Sequence, residues 1–308
     1  MPHVLGGGSL GTLFAANGPP GTTLLLRHGS AALRSGRLLL RVHRGWTAEC
    51  HEAQVAVEPS SSAGPPIDTL VIATKAFGAS SALDGVRQRL TPDATVVLLC
   101  NGALSLAEAL SLPDTASLLV ATTTHGAWLH TPRDDGVREV QHAGNGSTWI
   151  GPLRDAESDE ATAAAASAAR SFATWGLGAT VETAEQTRRR LWLKLAANAV
   201  LNPLTALWNV QNGDVLRRDE GRRLAVDVCD ELAALPGAPP AAELLGFVHS
   251  CAEENAANWS SMHQDVQADR RTEIEHLNGW VAHRLRAQGT SAAVNERLAG
   301  EIRSLRGS

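Results

Sequence analysis

The chain contains no tyrosine, and its other aromatic residues are eight tryptophans and four phenylalanines. With a net charge of -5 and no basic stripe interleaved with rings, it lacks the surface that holds nucleic acid or an anionic membrane. No run of uncharged apolar residues approaches the length of a membrane-crossing helix. The cysteines, Cys50, Cys100, Cys229 and Cys251, are scattered without a C-x-x-C pair; reduced thiols are expected. No metal site is expected. H-E-x-x-H is absent, the histidines lack ligand spacing, and Cys50-His51-Glu52 is too compact to wrap one zinc ion. There is likewise no G-x-S-x-G elbow and no Walker loop, so hydrolase and kinase classes fall away. The opening Pro2-His3-Val4-Leu5-Gly6 has no charged segment followed by an apolar one. A secretory signal is therefore not expected, and a cytoplasmic protein is.

What is present is the composition of a globular protein, 44% hydrophobic and 19% charged over 308 residues. That length favours two domains over a single core. His3-Val4-Leu5 is a short buried-strand candidate, followed at once by Gly6-Gly7-Gly8-Ser9-Leu10-Gly11 and a helix start. Gly6, Gly8 and Gly11 thus place G-x-G-x-x-G between strand and helix. The first glycine serves the tight turn, the second the approach of backbone N–H groups to a pyrophosphate, and the third helix–strand packing. A second strand, residues 22–26, ends at Arg27 with no carboxylate. A guanidinium there suits a 2′-phosphate, which favours NADP(H) over NAD(H); a plain surface arginine is the alternative. Residues 59–66 are expected to form a flexible surface connection.

Residues 67–73 and 94–100 are further buried strands, followed by Thr74-Lys75-Ala76 and Asn101-Gly102. Ligands of open parallel sheets lie off the carboxyl ends of strands, so Lys75 and Asn101 are candidates by position. A solvated helix start and a common Asn-Gly turn are the plainer readings. Residues 118–125 and 144–151 are expected to be closing strands, with His125 more at home as a structural histidine than as an acid or base. Residues 160–175 are expected to form a helix and residues 179–182 a last short strand. From residue 184 the pattern turns helical. The expected division is therefore 1–183, a dinucleotide-binding domain, and 184–308, a helical domain.

The residues from Leu191 to Asn212 are expected to continue as helix. At about 100° per residue, Lys194, Asn198 and Asn202 spread over only about 80° of one face. A polar stripe usually faces water, but here the rest of the circumference is apolar, as on a buried helix. An ammonium and two amides inside such a helix are costly unless an internal carboxylate or a polar ligand pairs with them. Further on, Glu273 is expected to begin a helix, capped by Thr272 or a near neighbour, whose Leu277, Val281 and Leu285 make an apolar stripe. Glu273 then needs a cation. Lys194 is the natural candidate, and a surface pairing with Arg270 or His276 is the alternative.

These residues together resemble the ketopantoate reductase family over nearly the whole chain. The resemblance rests on the glycine loop, Thr74-Lys75-Ala76, Asn101-Gly102, Thr122-Thr123-Thr124-His125 and Leu191-Trp192-x-Lys194-Leu195-Ala196-x-Asn198. It continues through Asn202-Pro203-Leu204-Thr205-Ala206, Asn212-Gly213, Ser260-Ser261-Met262-x-Gln264-Asp265, Arg271-Thr272-Glu273-Ile274 and Asn278-Gly279. The glycine loop is common to many oxidoreductases; the lysine helix with the serine and glutamate stretches is specific to this family. The resemblance implies an α/β Rossmann-type N-terminal domain and an all-α C-terminal domain of the 6-phosphogluconate dehydrogenase-like kind. It implies NADP(H) as cofactor, with Gly6, Gly8, Ser9, Leu10, Gly11, Arg27, Lys75 and Asn101 binding it. Lys194 matches the lysine that binds the keto oxygen and supplies the proton, and Glu273 the acidic residue that positions reacting groups. Asn101, Asn198, Asn202, Asn212 and Ser261 match substrate-binding positions, and Asn258 is expected to bind substrate at the same rim. Cys100 and Ala103-Leu104 depart from the family pattern without removing a proposed catalytic group.

The implied reaction is NADPH-dependent reduction of 2-dehydropantoate to pantoate, in the biosynthesis of pantothenate. An ammonium aimed at the developing negative charge on the keto oxygen both stabilises it and donates its proton. A related 2-oxoacid or opine-type reductase with an altered pocket is a second reading. A non-catalytic NADP(H)-binding module is a third, opposed by the presence of both Lys194 and Glu273. The partner expected is a small 2-oxoacid, not nucleic acid or a membrane. Self-association as a homodimer stays open.

Overall fold

The computed structural model describes residues 1–305 other than 46, 48, 111, 113–115, 131–135, 145 and 154–158. The chain divides into two compact units, Met1–Thr187 and Arg188–Ser308. Residues 306–308 of the expected second domain lie outside the described residues.

The first unit begins with β1 (Pro2–Leu5), α1 (Ser9–Asn17), β2 (Thr23–Leu26), β3 (Arg37–Arg44) and β4 (Cys50–Pro59). It continues with β5 (Ile67–Ile72), α2 (Ala76–Val86), β6 (Leu90–Leu98), α3 (Ala103–Ala109) and β7 (Ser117–Thr123). β8 (Ala127–Leu129), β9 (Val137–His142), β10 (Thr148–Pro152), α4 (Asp159–Ala173) and β11 (Ala179–Val181) complete it. Among the described residues the strands form one sheet of eleven, in the order β11-β10-β7-β6-β5-β1-β2-β4-β3-β9-β8. From β7 across to β4 every pairing is parallel. Strands of a parallel sheet are covered on both faces and so carry unbroken apolar runs, as in Val4-Leu5, Leu24-Leu25-Leu26 and Leu70-Val71-Ile72, all buried. The register sets Leu25, Leu5, Ile72 and Leu98 level. Gly6, Arg27, Lys75 and Asn101 therefore leave the sheet at its carboxyl edge.

The flanks of the sheet differ from the sequence expectation. β3 and β4 form an antiparallel pair, and β8 and β9 another; none of the four was anticipated. The closing strand expected at residues 144–151 is β10, Thr148–Pro152, with Asn145 outside the described residues. The connection expected at residues 59–66 is hydrogen-bonded near both of its ends. Ser60 N–H donates to the Leu26 carbonyl at 2.7 Å, and Arg89 Nε donates to the Pro65 carbonyl at 2.9 Å. Arg89 is only 4% exposed and is charge-paired with Glu58 at 2.6 Å.

Among its described residues the second unit contains helices and their connections but no strand. It contains α5 (Ala184–Trp208) from Arg188 onward, α6 (Asn212–Val215), α7 (Asp219–Ala233) and α8 (Ala241–Glu254). α9 (Ser261–Gln267), α10 (Asn278–Ala287) and α11 (Ala293–Ser304) follow. α5 does not run on to Asn212 as expected. It stops because Asn209 takes the left-handed conformation, φ 52°, while Val210 N–H donates back to the Thr205 carbonyl at 3.3 Å. This is the Schellman ending, with asparagine in the place glycine usually fills. No helix among the described residues is long and apolar enough to cross a membrane.

Pro203 lies inside α5. It has no N–H to offer the carbonyl of Ala199, and an orphaned buried carbonyl is costly. Asn278, at the start of α10 and fully buried, donates its side-chain N–H to that carbonyl at 2.9 Å. The same amide nitrogen donates to Asn295 Oδ1 at 2.9 Å, and Asn295 Nδ2 donates to Glu231 at 2.8 Å. Glu231 also accepts the backbone N–H groups of Val294 and Asn295 at the start of α11, where a carboxylate suits the helix dipole. Buried Asn278 and Asn295 with half-buried Glu231 thus join α7, α10 and α11 to the interior of α5.

Candidate functional site

In the first unit the candidate residues gather around the end of β1. Gly6 has φ +114°, and a Cβ there would lie 2.9 Å from the Ala73 carbonyl oxygen; no other residue makes this turn without strain. A Cβ on Gly11 would overlap the carbonyl oxygen of Gly6, so the start of α1 can sit this close to β1 only with glycine there. Around Gly8, by contrast, nothing lies within 4 Å of the Cβ position. Gly8 is the N-cap of α1 and supplies no side-chain cap, so the first-turn N–H groups at Ser9, Leu10 and Gly11 have no intrahelical acceptor. Such a terminus, glycine-lined and open, fits a phosphate anion. The loop's neighbour is the β5–α2 turn. Gly6 packs on Ala73 and Thr74, and exposed Lys75 is the N-cap of α2. Asn101, partly buried, follows the adjacent β6. Exposed Arg27 stands at the end of β2.

His125 is not in this group. Buried beside His142, it has Nδ1 2.7 Å from His142 Nε2, and its own Nε2 donates to the Leu177 carbonyl at 3.0 Å. This is the structural role expected for it.

In the second unit the polar stripe of α5 is where the sequence puts it. From residue 191 to 206 every residue is buried except Lys194 and Asn198, which are partly exposed one turn apart. Asn202, the next step, is 7% exposed. The Lys194 ammonium acts on Cys251 of α8. Burial and Glu254 push that thiol up to about 11, with Lys194 pulling in the opposite direction.

Below Asn202 the helix is bonded to α9. Thr205 Oγ1 lies 3.0 Å from the Asn202 carbonyl and 2.6 Å from Ser260 Oγ. Ser260 caps α9 by accepting the His263 N–H at 3.1 Å. Ser261, the first residue of that helix, is exposed. His263 Nε2 lies 2.7 Å from Asn209 Oδ1, and its ring stacks on Trp259 at 4.2 Å. Burial lowers its pKa, so the neutral ring donates from Nε2. Asn212 and Asn258 also meet. Asn212 N–H donates to the Asn258 carbonyl at 3.0 Å, and its side chain donates to the Asn255 carbonyl at 3.2 Å. The Oδ1 of Asn212 is buried without a hydrogen-bond partner.

Glu273 is 5% exposed, but it does not begin a helix. It precedes the single turn Ile274–His276, and α10 starts only at Asn278, with no side-chain cap from Thr272 or Leu277. The Leu277, Val281 and Leu285 stripe is buried as expected. Arg270, one alternative partner for Glu273, donates to Asp265 at 3.0 Å. His276 does sense Glu273: burial lowers the imidazole pKa, and the carboxylate works against that fall.

The sequence reading missed Thr205, Asn209, Ser260, His263, Asn295 and Glu231 as supports, and named Asn278 only as part of a pattern. For Asn278 a signal existed, since a proline within an apolar helix demands a donor from elsewhere. Among the described residues no cluster of His, Cys, Asp or Glu is placed to hold a metal ion.

Known proteins share sequence with both units. Residues 3–155 match the family model described as "Ketopantoate reductase PanE/ApbA", and residues 186–306 match its C-terminal counterpart. A 2-dehydropantoate 2-reductase of Halobacterium salinarum is 34% identical over 307 residues, covering 97% of each chain. That of Shigella flexneri is also 34% identical, over 236 residues that cover 75% of this chain and 72% of that one. Among solved structures, D-mandelate dehydrogenase with NADH and anilino(oxo)acetate superposes with a TM-score of 0.84 at 20% identity, covering 100% of this chain and 99% of that one. That last likeness is one of fold alone. On the two family matches and the two sequence relatives, the chain belongs to the ketopantoate reductase family of oxidoreductases.

Proposed function

We propose that the chain reduces 2-dehydropantoate to pantoate with NADPH, the first unit holding the cofactor and the second supplying the proton. The observation that carries this reading is the pair Lys194 and Asn198, the two openings in an otherwise buried stretch of helix. An ammonium and an amide placed one turn apart fit a small polar ligand with a keto oxygen and a carboxylate.

Gly6, Gly8, Ser9, Leu10 and Gly11 would hold the pyrophosphate, Arg27 the 2′-phosphate, and Lys75 and Asn101 the nicotinamide end. When bound, the reduced nicotinamide supplies a hydride. Lys194 hydrogen-bonds the keto oxygen, stabilises the negative charge that develops there and gives up a proton from Nζ to form the hydroxyl. The resulting amine regains its proton from solvent. Glu273 positions the ammonium and substrate, while Asn101, Asn198, Asn202, Asn212, Asn258 and Ser261 bind the substrate's carboxylate and hydroxyl. For Asn212, the buried and unpartnered Oδ1 supports an acceptor role.

The test is NADPH oxidation followed by absorbance with 2-dehydropantoate, beside NADH and a Lys194→Ala protein. Rapid, NADPH-selective turnover that collapses in the variant is expected. Tight NADPH binding without turnover would reject the substrate assignment. A second reading is reduction of a different 2-oxoacid by the same Lys194 chemistry. Substrate profiling separates the two, because a site that hydrogen-bonds the pantoate hydroxyl discriminates against analogues lacking it.

A further inference from the structure

Arg138, the second residue of β9, is a partly buried cation. Its Nη1 donates to the Gly7 carbonyl at 3.1 Å, the sole side-chain hydrogen bond of Arg138 among the described residues. Burial lowers its pKa, and no carboxylate among the described residues opposes that fall. Its strand neighbour Glu139 is engaged elsewhere, with Arg41 at 3.0 Å. A guanidinium has several N–H donors in a rigid fork, and a lone carbonyl neither neutralises the charge nor fills the fork. A half-buried cation in this condition calls for an anion.

The position says which anion. A Cβ on Gly7 would meet both the Arg138 guanidinium and the Leu26 side chain. Arg138 thus reaches the glycine loop on the β2 side, beside the residue that precedes Arg27. In this fold the end of the second strand is where the adenosine ribose is read, by a carboxylate for a free 2′-hydroxyl or by arginine for a 2′-phosphate. The pyrophosphate is served by the other part of the loop, at Gly8 and the open start of α1. No carboxylate stands at the end of β2, where the sequence is Leu26-Arg27-His28.

We propose that Arg138 is a second cationic ligand, with Arg27, for the 2′-phosphate of NADP(H). The inference rests on the cofactor reading above and adds a residue from a strand distant in sequence. It also gives Gly7 a reason to lack a side chain, since one would displace the guanidinium.

The experiment is equilibrium binding, followed by nucleotide fluorescence or calorimetry, of NADPH, NADH, 2′,5′-ADP and 5′-AMP. The proteins are the parent, Arg138→Met, Arg138→Lys and Arg27→Ala. Loss of a charge-assisted contact predicts that Arg138→Met weakens NADPH and 2′,5′-ADP by about tenfold to a hundredfold. NADH and 5′-AMP should change by less than about twofold, and Arg138→Lys should recover part of the loss because it keeps the charge. Equal weakening of NADPH and NADH would overturn the inference and make Arg138 a prop of the loop. So would an unchanged NADPH preference in Arg138→Met alongside a lost one in Arg27→Ala, although the NADP(H) reading would then stand. A parent protein without preference for NADPH would overturn both.

Discussion

The glycine loop and the Lys194 face of α5 are both polar surfaces set in apolar surroundings, but they are built in opposite ways. The loop works by leaving side chains out, and its donors are backbone N–H groups that local chain geometry puts in place. Six consecutive residues, Gly6 to Gly11, hold nearly all of that information. The α5 face works by side chains, and what holds those side chains is remote. Asn278 completes the helix at Ala199, Ser260 braces Thr205, and Glu231 anchors the start of α11. A site made of backbone is robust to changes far away and fragile to a single added methyl. A site made of side chains on a braced helix should show the reverse.

The largest expected effect separates chemistry from support. Lys194→Ala should lower kcat by about two to four orders of magnitude. Its thermal stability should stay near that of the parent, because the side chain is partly exposed. A comparable loss of melting temperature would mean that Lys194 braces the fold, and the contrast between the two regions would fail. Next comes Gly11→Val, whose side chain would collide with a backbone carbonyl that cannot swing aside. Overpacking of this sort costs about 1–3 kcal/mol, and NADPH affinity should fall with it. Denaturant unfolding and nucleotide binding on the same protein check both.

The bracing of α5 is tested by a cycle. Asn278→Leu leaves the Ala199 carbonyl buried without a donor, which costs about 1–3 kcal/mol. Pro203→Ala returns an N–H to that carbonyl. The Asn278→Leu penalty should therefore be smaller in the Pro203→Ala background than in the parent, measured by urea denaturation of the four proteins. Equal penalties in both backgrounds would show that Asn278 matters only through Asn295.

The same contrast explains what could be read in advance. The glycine loop, the parallel strands after it and the Lys194 stripe are local patterns with a period, and the structure contains them. The β3–β4 pair carried its own pattern, with Leu38, Leu40 and Val42 buried in alternation. Alternation marks strands with one open face, whereas continuous apolar runs mark the parallel, doubly covered ones. Glu273 was placed correctly as buried and wrongly as a helix start, since the chain breaks at Leu277 (φ -111°, ψ -102°) before α10 begins. Ser260, Asn295 and Glu231 were illegible for a plainer reason. A hydrogen bond between Glu231 and Asn295 has no signature in either segment alone, because it exists only once α7 and α11 are side by side.

The smallest effect concerns acid, and it bears on both units. Burial lowers the pKa of His3 and His142 in the first unit and of His263 and His276 in the second. For His142 the nearby His125 and Arg44 add to that fall. Above the ordinary histidine value of 6.5 the ring is neutral whether the chain is folded or not, and no stability depends on it. As pH drops below that value the unfolded chain takes up the proton first, so folding stability is lost on acidification. The melting temperature should thus fall between about pH 7.5 and about pH 5.5. His142→Gln keeps a donor for His125 Nδ1 and removes the titration, so its melting temperature should fall less steeply over that range. An identical slope in the variant would assign the acid sensitivity to the other three histidines, His3, His263 and His276.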